Sequence, residues 1–225
     1  MELCWKKLLS DWRYALPDGK SGPSDSPSDY RSEFESDYDR IVYSPPFRRL
    51  ARKTQVHPLA PNDHVHNRLT HSIEVASVGR SLGRRLAKKL RGDDKLPHEN
   101  SDSDIAWILM SSCLAHDIGN PPFGHAGEFA IREWAASHQD DVFPDNLEIS
   151  EGAKNDVLIF EGNAQSFRLT ARSDNALAGH MRLTFATLAS IVKYPWDSSD
   201  LRAIEQKKFN CFSSERDLFC EVFNH

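Results

Sequence analysis

The hydrophobic and polar positions of this 225-residue chain follow a helical repeat along most of its length. Residues 1–16 open with a short amphipathic segment carrying Trp5, Leu8, Leu9 and Trp12. From 17 to 36 the pattern dissolves into Ser, Asp, Pro and Gly. Such a stretch has too little apolar surface to order itself and predicts a mobile loop. Helical spacing resumes over Arg40–Gln55, with Ile41, Val42, Phe47, Leu50 and Ala51 apolar, and Pro45–Pro46 marking a helix start. After a loop at 59–67, Thr70 is the expected N-cap of a long helix ending near Gly92, with Glu74 placed for a capping box. At 3.6 residues per turn its core stripe is expected to be His71, Val75, Val78, Leu82 and Leu86.

Beyond a loop at 92–102, Ser103 is a second N-cap candidate, leading an apolar helix Ile105–Asp117. Further helices are expected from about His125, and at Ala164–Leu169, Arg182–Val192 and Glu215–Phe223. Strand signals are weak, although Asp156–Phe160 and Arg168–Arg172 could pair as a small hairpin. The fold class is therefore mainly α.

Composition narrows the setting. No apolar run reaches the roughly 18 residues of a membrane span, and the start lacks the apolar core of a signal peptide. Four cysteines without a C-x-x-C pair read as reduced thiols in a cytoplasmic protein. The net charge of −5 hides a basic block, which includes Arg48, Arg49, Arg52, Lys53 and Arg68. Such a block in an acidic chain suggests local binding of an anion such as phosphate. Arg84, Arg85, Lys88 and Lys89 read instead as a solvated helix face.

The chemistry concentrates in "CLAHDIGNPPFGHAGE", residues 113–128. His71 and His116 both fall on apolar helix stripes, where a lone histidine is ordinarily a satisfied core group. Neighbouring helical residues diverge by about 100°, so His116 and Asp117 can converge on one ion only where the helix ends. Gly119 and Pro121–Pro122 enforce that ending. Imidazole plus carboxylate suits Mg, Mn or another transition metal. His125 and Glu128, at i and i+3, can hydrogen-bond; this would fix the imidazole tautomer for acid–base work. The competing reading is a helix-start glutamate beside a capping histidine.

"RLTHSIEVA" followed by "LAHDIGNPPFGHAGE" resembles the HD superfamily of metal-dependent phosphohydrolases, and more narrowly the deoxyguanosine triphosphate triphosphohydrolase family. The blocks "DYDRIVYSPPFRRLARKTQV", "FEGNAQSFRLT", "LTFATLASIVKYPW" and "KKFNCFSSERDLF" resemble that family in the same order. The resemblance implies an HD-domain helical bundle over 37–225 with at most a small β-hairpin. It implies a divalent metal on His71, His116 and Asp117, and a catalytic pair in His125 and Glu128. The fourth ligand would belong to a block C-terminal to "KKFNCFSSERDLF", which these residues do not include, so the domain is expected to be C-terminally incomplete.

The implied reaction is hydrolysis of a deoxynucleoside triphosphate, dGTP above all, at the α-phosphorus to deoxynucleoside and tripolyphosphate. Arg68 would clamp a phosphate. Lys193 and Tyr194 would face the triphosphate and sugar, and Gln55 the deoxyribose; Arg52 and Asn163 are further substrate candidates. A homo-oligomer, hexameric in that family, and single-stranded DNA as effector are implied too, with no membrane partner. His64 and His66 could line a phosphate path but read as solvent-facing; His57 and His180 read as structural. Two alternatives stay open. One is an HD nucleotidase or phosphodiesterase, against which the "FRRLARKTQV" and "KYPW" blocks argue. The other is a nonenzymatic nucleotide or single-stranded DNA binding module.

Overall fold

A computed structural model describes residues 4–13, 22, 30–55, 66–93, 95–97, 101–171 and 181–224. The architecture is all-helical. In chain order come α1 (Trp5–Leu8), α2 (Glu33–Tyr43), α3 (Pro45–Arg49), α4 (Arg68–Gly92), α5 (Ser101–Ala115) and α6 (His125–Ser137). They are followed by α7 (Gln139–Val142), α8 (Glu151–Leu158), α9 (Gly162–Ala171), α10 (Phe185–Ile191), α11 (Leu201–Gln206) and α12 (Arg216–Asn224). Among the described residues only isolated β-bridges occur, and no helix is long and apolar enough to cross a membrane. His57, His64 and His180 lie outside the described residues, as does much of the stretch expected to be a loop between 17 and 36. From Glu33 that stretch is helix, begun by the Ser32 hydroxyl, which accepts from Glu35 N–H.

The expected hairpin is absent. Asp156–Phe160 falls largely within α8 and Arg168–Ala171 within α9. Both runs carry β-branched or apolar residues that mimic strand alternation, but local capping and tertiary bonds decide otherwise. The Ser150 hydroxyl caps α8 at Ala153 N–H. The Asp156 carboxylate is drawn to Ser213 and Ser198, and Thr170 bonds back to the Ser166 carbonyl within α9.

The centre of the fold is α5, apolar on nearly every face, as a helix surrounded by others must be. Packed around it, α2, α4 and α10 join α9 and α12 in a core that includes Ile41, Phe47, Leu50, Leu114, Phe167, Leu183 and Phe185. The expected stripe of α4 is corrected. Its buried face is Arg68, Ser72, Ala76, Gly79, Gly83, Ala87 and Leu90, whereas Val78 and Leu82 are 59% and 57% exposed. The reason is close approach. A Cβ on Gly79 would lie 2.6 Å from Cys113 Sγ, and one on Gly83 2.7 Å from Ala106 Cα. Small residues let the α4 backbone rest directly on α5, turning the large aliphatics one step round the helix toward solvent. His71 is left on the rim, half-buried.

The N-cap of α4 is also corrected: Asn67, not Thr70, holds it, with Asn67 Oδ1 accepting from Thr70 N–H at 2.9 Å. Thr70 sits three residues into the structure that it was expected to start. The basic residues Arg84, Arg85, Lys88 and Lys89 are exposed, in keeping with a solvated face.

Candidate metal and catalytic site

His71 stands on the first turn of α4, and His116 and Asp117 follow directly on the last residue of α5. The close α4–α5 packing brings them together. One ligand atom from each of His71, His116 and Asp117 lies within 4.8 Å of the others, and the two imidazoles meet edge to face with centroids 5.2 Å apart. His116 Nδ1 faces the Cys113 carbonyl at 2.7 Å. Since a carbonyl can only accept, Nδ1 carries the proton and Nε2 is left as the donor atom for a cation; such an outer bond orients metal-ligating histidines generally. Two imidazoles and a carboxylate, converging and partly open, fit a divalent transition metal or magnesium.

Asp117 is shared. Its Oδ2 takes a bond from Arg68 Nη1 at 2.6 Å and its Oδ1 one from Asn120 Nδ2 at 2.7 Å. Arg68 is buried, its Nε has no partner, and its Nη2 leaves no room beside Gly124, where a Cβ would lie 2.5 Å away. Gly124 adopts φ +55°, and Phe123 before it +65°, so the chain leaves Pro121–Pro122 through a left-handed turn and enters α6 at His125. The guanidinium thus touches both the His-Asp corner and the segment carrying His125. Gly119 is needed for a different reason than chain reversal. A Cβ there would lie 2.1 Å from Ser166 N, and its own N–H bonds the Ser166 hydroxyl at 3.0 Å. The corner is seated directly on α9.

Lys53, part of the basic block that suggested anion binding, donates to the Asn120 carbonyl at 2.7 Å. Its pKa is lowered by burial and by the nearby Arg49 and Arg68 charges, only partly offset by Asp117. This is a crowd of cations with one acid among them. Arg49 and Lys53 line a cleft of about 380 Å³ beside the corner, together with Asn120, Phe160, Gln165 and Leu169. Gln55 is half-buried with its Oε1 unpartnered, and Arg52 is exposed.

On α6, His125 Nδ1 faces Glu128 Oε2 at 2.9 Å. The imidazole is 83% exposed, while the carboxylate is almost fully buried. Burial pushes the Glu128 pKa up. The His125 bond, the Gly162 N–H at 3.0 Å and the charge of Lys208 outweigh it, so the carboxyl titrates below its ordinary value. With Glu128 ionised, Nδ1 is the donor and Nε2 faces outward.

A polar chain runs on from here. Lys208 Nζ lies 3.6 Å from Glu128 Oε2 and 2.5 Å from Glu161 Oε1. Asn163 Nδ2 donates to the same Glu161 oxygen at 2.9 Å, and Asn210 Nδ2 donates to the Asn163 carbonyl at 3.2 Å. Asn210 Oδ1 in turn accepts from the N–H groups of Lys193 and Tyr194, at 3.0 and 2.7 Å. The structure therefore links Asn163, Lys193 and Tyr194 to the His125–Glu128 couple through groups that no local spacing reveals. Asp197 and Asp200, two acids further along the chain, are paired elsewhere: Asp197 with Arg216 and Asp200 with Arg202.

Known proteins resemble this chain over most of its length. A family model described as the HD domain matches residues 68–154. The chain is 48% identical over 217 residues to a deoxyguanosinetriphosphate triphosphohydrolase-like protein of Pseudomonas aeruginosa, covering 94% of this chain and 48% of the relative. A protein of the same name from Synechocystis is 43% identical over 231 residues, 97% of this chain and 50% of the relative. The deoxyguanosinetriphosphate triphosphohydrolase of Salmonella typhimurium is 40% identical over 186 residues, 72% of this chain and 36% of the relative. The chain spans about half the length of the first two. It carries an HD domain and is related, along nearly its whole length, to proteins named deoxyguanosinetriphosphate triphosphohydrolase-like, and over 72% of its length to a deoxyguanosinetriphosphate triphosphohydrolase.

Proposed function

We propose that this chain forms the metal-binding and acid–base part of a deoxynucleoside triphosphate triphosphohydrolase, with dGTP as the expected substrate. The observation that carries the reading is the convergence of His71, His116 and Asp117 within 4.8 Å, with the His125–Glu128 couple held on the segment packed against Arg68. His71, His116 and Asp117 would hold a divalent cation, which when bound neutralises phosphate charge and lowers the pKa of a water. Arg68, Lys53 and Arg49 set positive charge against a triphosphate that carries about four negative charges at neutral pH. Water attacks the α-phosphorus, the bond to the 5′-oxygen breaks, and tripolyphosphate leaves intact. His125 Nε2, backed by ionised Glu128, moves the proton from the water to the departing 5′-oxygen. Gln55, Arg52, Asn163, Lys193 and Tyr194 belong to the same proposal as groups that position the substrate.

The deciding experiment incubates the chain with Mn²⁺ and dGTP and identifies the products. Deoxyguanosine with tripolyphosphate is the expected result. Free phosphate alone would point to a nucleotidase, and bound but unaltered dGTP to a binding module. In the active protein, His116→Ala is expected to lose metal and activity together. Glu128→Ala keeps the metal while turnover falls roughly 10²–10⁴-fold; loss of metal there would overturn the division of roles. Sedimentation with and without single-stranded DNA checks the homo-oligomer and the effector that the resemblance implies.

A further inference from the structure

We propose that Lys208 is a positioning residue for the acid–base couple: it bridges the carboxylates of Glu128 and Glu161 and thereby fixes Glu128 against His125. The inference rests on the reading of His125 and Glu128 given above and adds to it a residue on a distant part of the chain.

Glu161 is wholly buried and Glu128 nearly so. Two carboxylates set this deep in the protein are costly unless a cation serves them, and Lys208 Nζ reaches both, at 2.5 and 3.6 Å. The groups facing Glu128 are few. From α6 come His125 and, at 3.6 Å, Arg132; from the start of α9 comes the Gly162 N–H; after α11 comes Lys208, with Glu161 behind it. Arg132 is already engaged, its Nε on the Phe160 carbonyl at 2.7 Å and its Nη2 on the Lys207 carbonyl at 3.3 Å. Of the two cations it is Lys208 that also reaches Glu161, and so couples the two carboxylates.

The backbone is committed to that placement. Lys207, just before it, ends α11 in the left-handed conformation at φ +53°, which a non-glycine residue keeps where surrounding structure holds it. The Lys208 carbonyl is pinned by Trp196 Nε1 at 2.7 Å. The left-handed kink and the indole bond together aim the ammonium inward, between the two acids.

The test reads the carboxyl carbon of Glu128 by ¹³C NMR across a pH titration of the 225-residue chain, with Glu128→Gln to assign the signal. Lys208→Met is expected to raise the Glu128 midpoint by about one pH unit, a tenfold gain in proton affinity. Lys208→Arg returns it to the wild-type value. Glu161→Gln, which leaves the ammonium to Glu128 alone, lowers the midpoint. An unchanged midpoint in Lys208→Met overturns the proposal, and so does a rise or no change in Glu161→Gln; the latter decides the matter alone should Lys208→Met fail to fold. The signal is read without turnover. A chain that hydrolyses nothing would sink the proposed reaction while leaving this test intact.

Discussion

Two buried arginine–aspartate pairs in this molecule look alike in distance and differ in everything around them. Arg13 Nη1 meets Asp37 at 2.7 Å, and Arg68 Nη1 meets Asp117 at 2.6 Å. Arg13 is saturated. It binds the Glu33 carboxylate through Nε and Nη2, the Glu33 carbonyl at 3.0 Å and the Arg182 carbonyl. Asp37 spends its second oxygen on the N–H and hydroxyl of Thr184. Arg68 keeps an unpartnered Nε, and Asp117 is grouped with two imidazoles. A fully satisfied charge pair ties the N-terminal segment to α2 and α10. An under-satisfied one, at the mouth of a ligand cluster, is poised to exchange partners.

The sharpest way to break this comparison is to remove each arginine. Arg13→Met should destabilise the fold by about 3–5 kcal/mol, because it strands a buried carboxylate; urea unfolding measures the loss. Arg68→Met should also destabilise, but freeing Asp117 from the guanidinium should tighten Mn²⁺ binding, so a fixed Mn²⁺ concentration should restore more stability to Arg68→Met than it adds to Arg13→Met, the gain being about 2.7 kcal/mol at a hundred times the dissociation constant. Equal behaviour of the two variants would erase the distinction.

A smaller effect is expected at the corner itself. Gly119→Ala places a methyl carbon against the backbone of α9 and should cost about 1–3 kcal/mol, with metal affinity falling in step. Unchanged metal-dependent melting would show that the corner is not held by α9.

The smallest effect separates the buried acids by pH. Burial raises the Asp37 pKa above 3.8 despite Arg13 and Thr184. The folded state therefore binds the proton more tightly than the unfolded, and this group's contribution weakens as pH climbs from 3.8 toward its folded value. Glu128 is shifted the other way, below 4.5. Its contribution is complete above 4.5 and is lost as pH falls through its folded value. Wild type minus Asp37→Asn should thus slope downward with rising pH, and wild type minus Glu128→Gln downward with falling pH below 4.5. Neither slope exceeds about 1.4 kcal/mol per pH unit. Urea midpoints between pH 3.5 and 7 give both curves, and slopes of the same sign would refute the assignment.

The sequence told most where chemistry is written locally. His116, Asp117, His125 and Glu128 lie within thirteen residues, and helix geometry alone predicts which of them can meet. His71 came to notice on an apolar stripe that packing turned toward solvent, and it reaches the cluster from the rim of the α4–α5 contact. What the pattern hid was anything settled by packing. Val78 and Leu82 looked like core because they are large, yet Gly79 and Gly83 won the interface by being small. The runs around Val157 and Leu169 looked like strands because propensity is a weak prior beside capping and tertiary bonds. Lys208, Glu161 and Asn210 carry no periodic or motif signal; their roles depend on chain segments dozens of residues apart folding onto one carboxylate.

The bare contact between α4 and α5 reaches further than the core it fills. Gly79 stands eight residues from His71, about 12 Å along the helix axis, so the gap between the two imidazoles is gauged by backbone resting on backbone at that remove. Pried open there by even one methyl group, the two helices would act as the arms of a pair of tongs. The jaws would widen around the ion, and the cation the protein prefers could change without any ligand being touched.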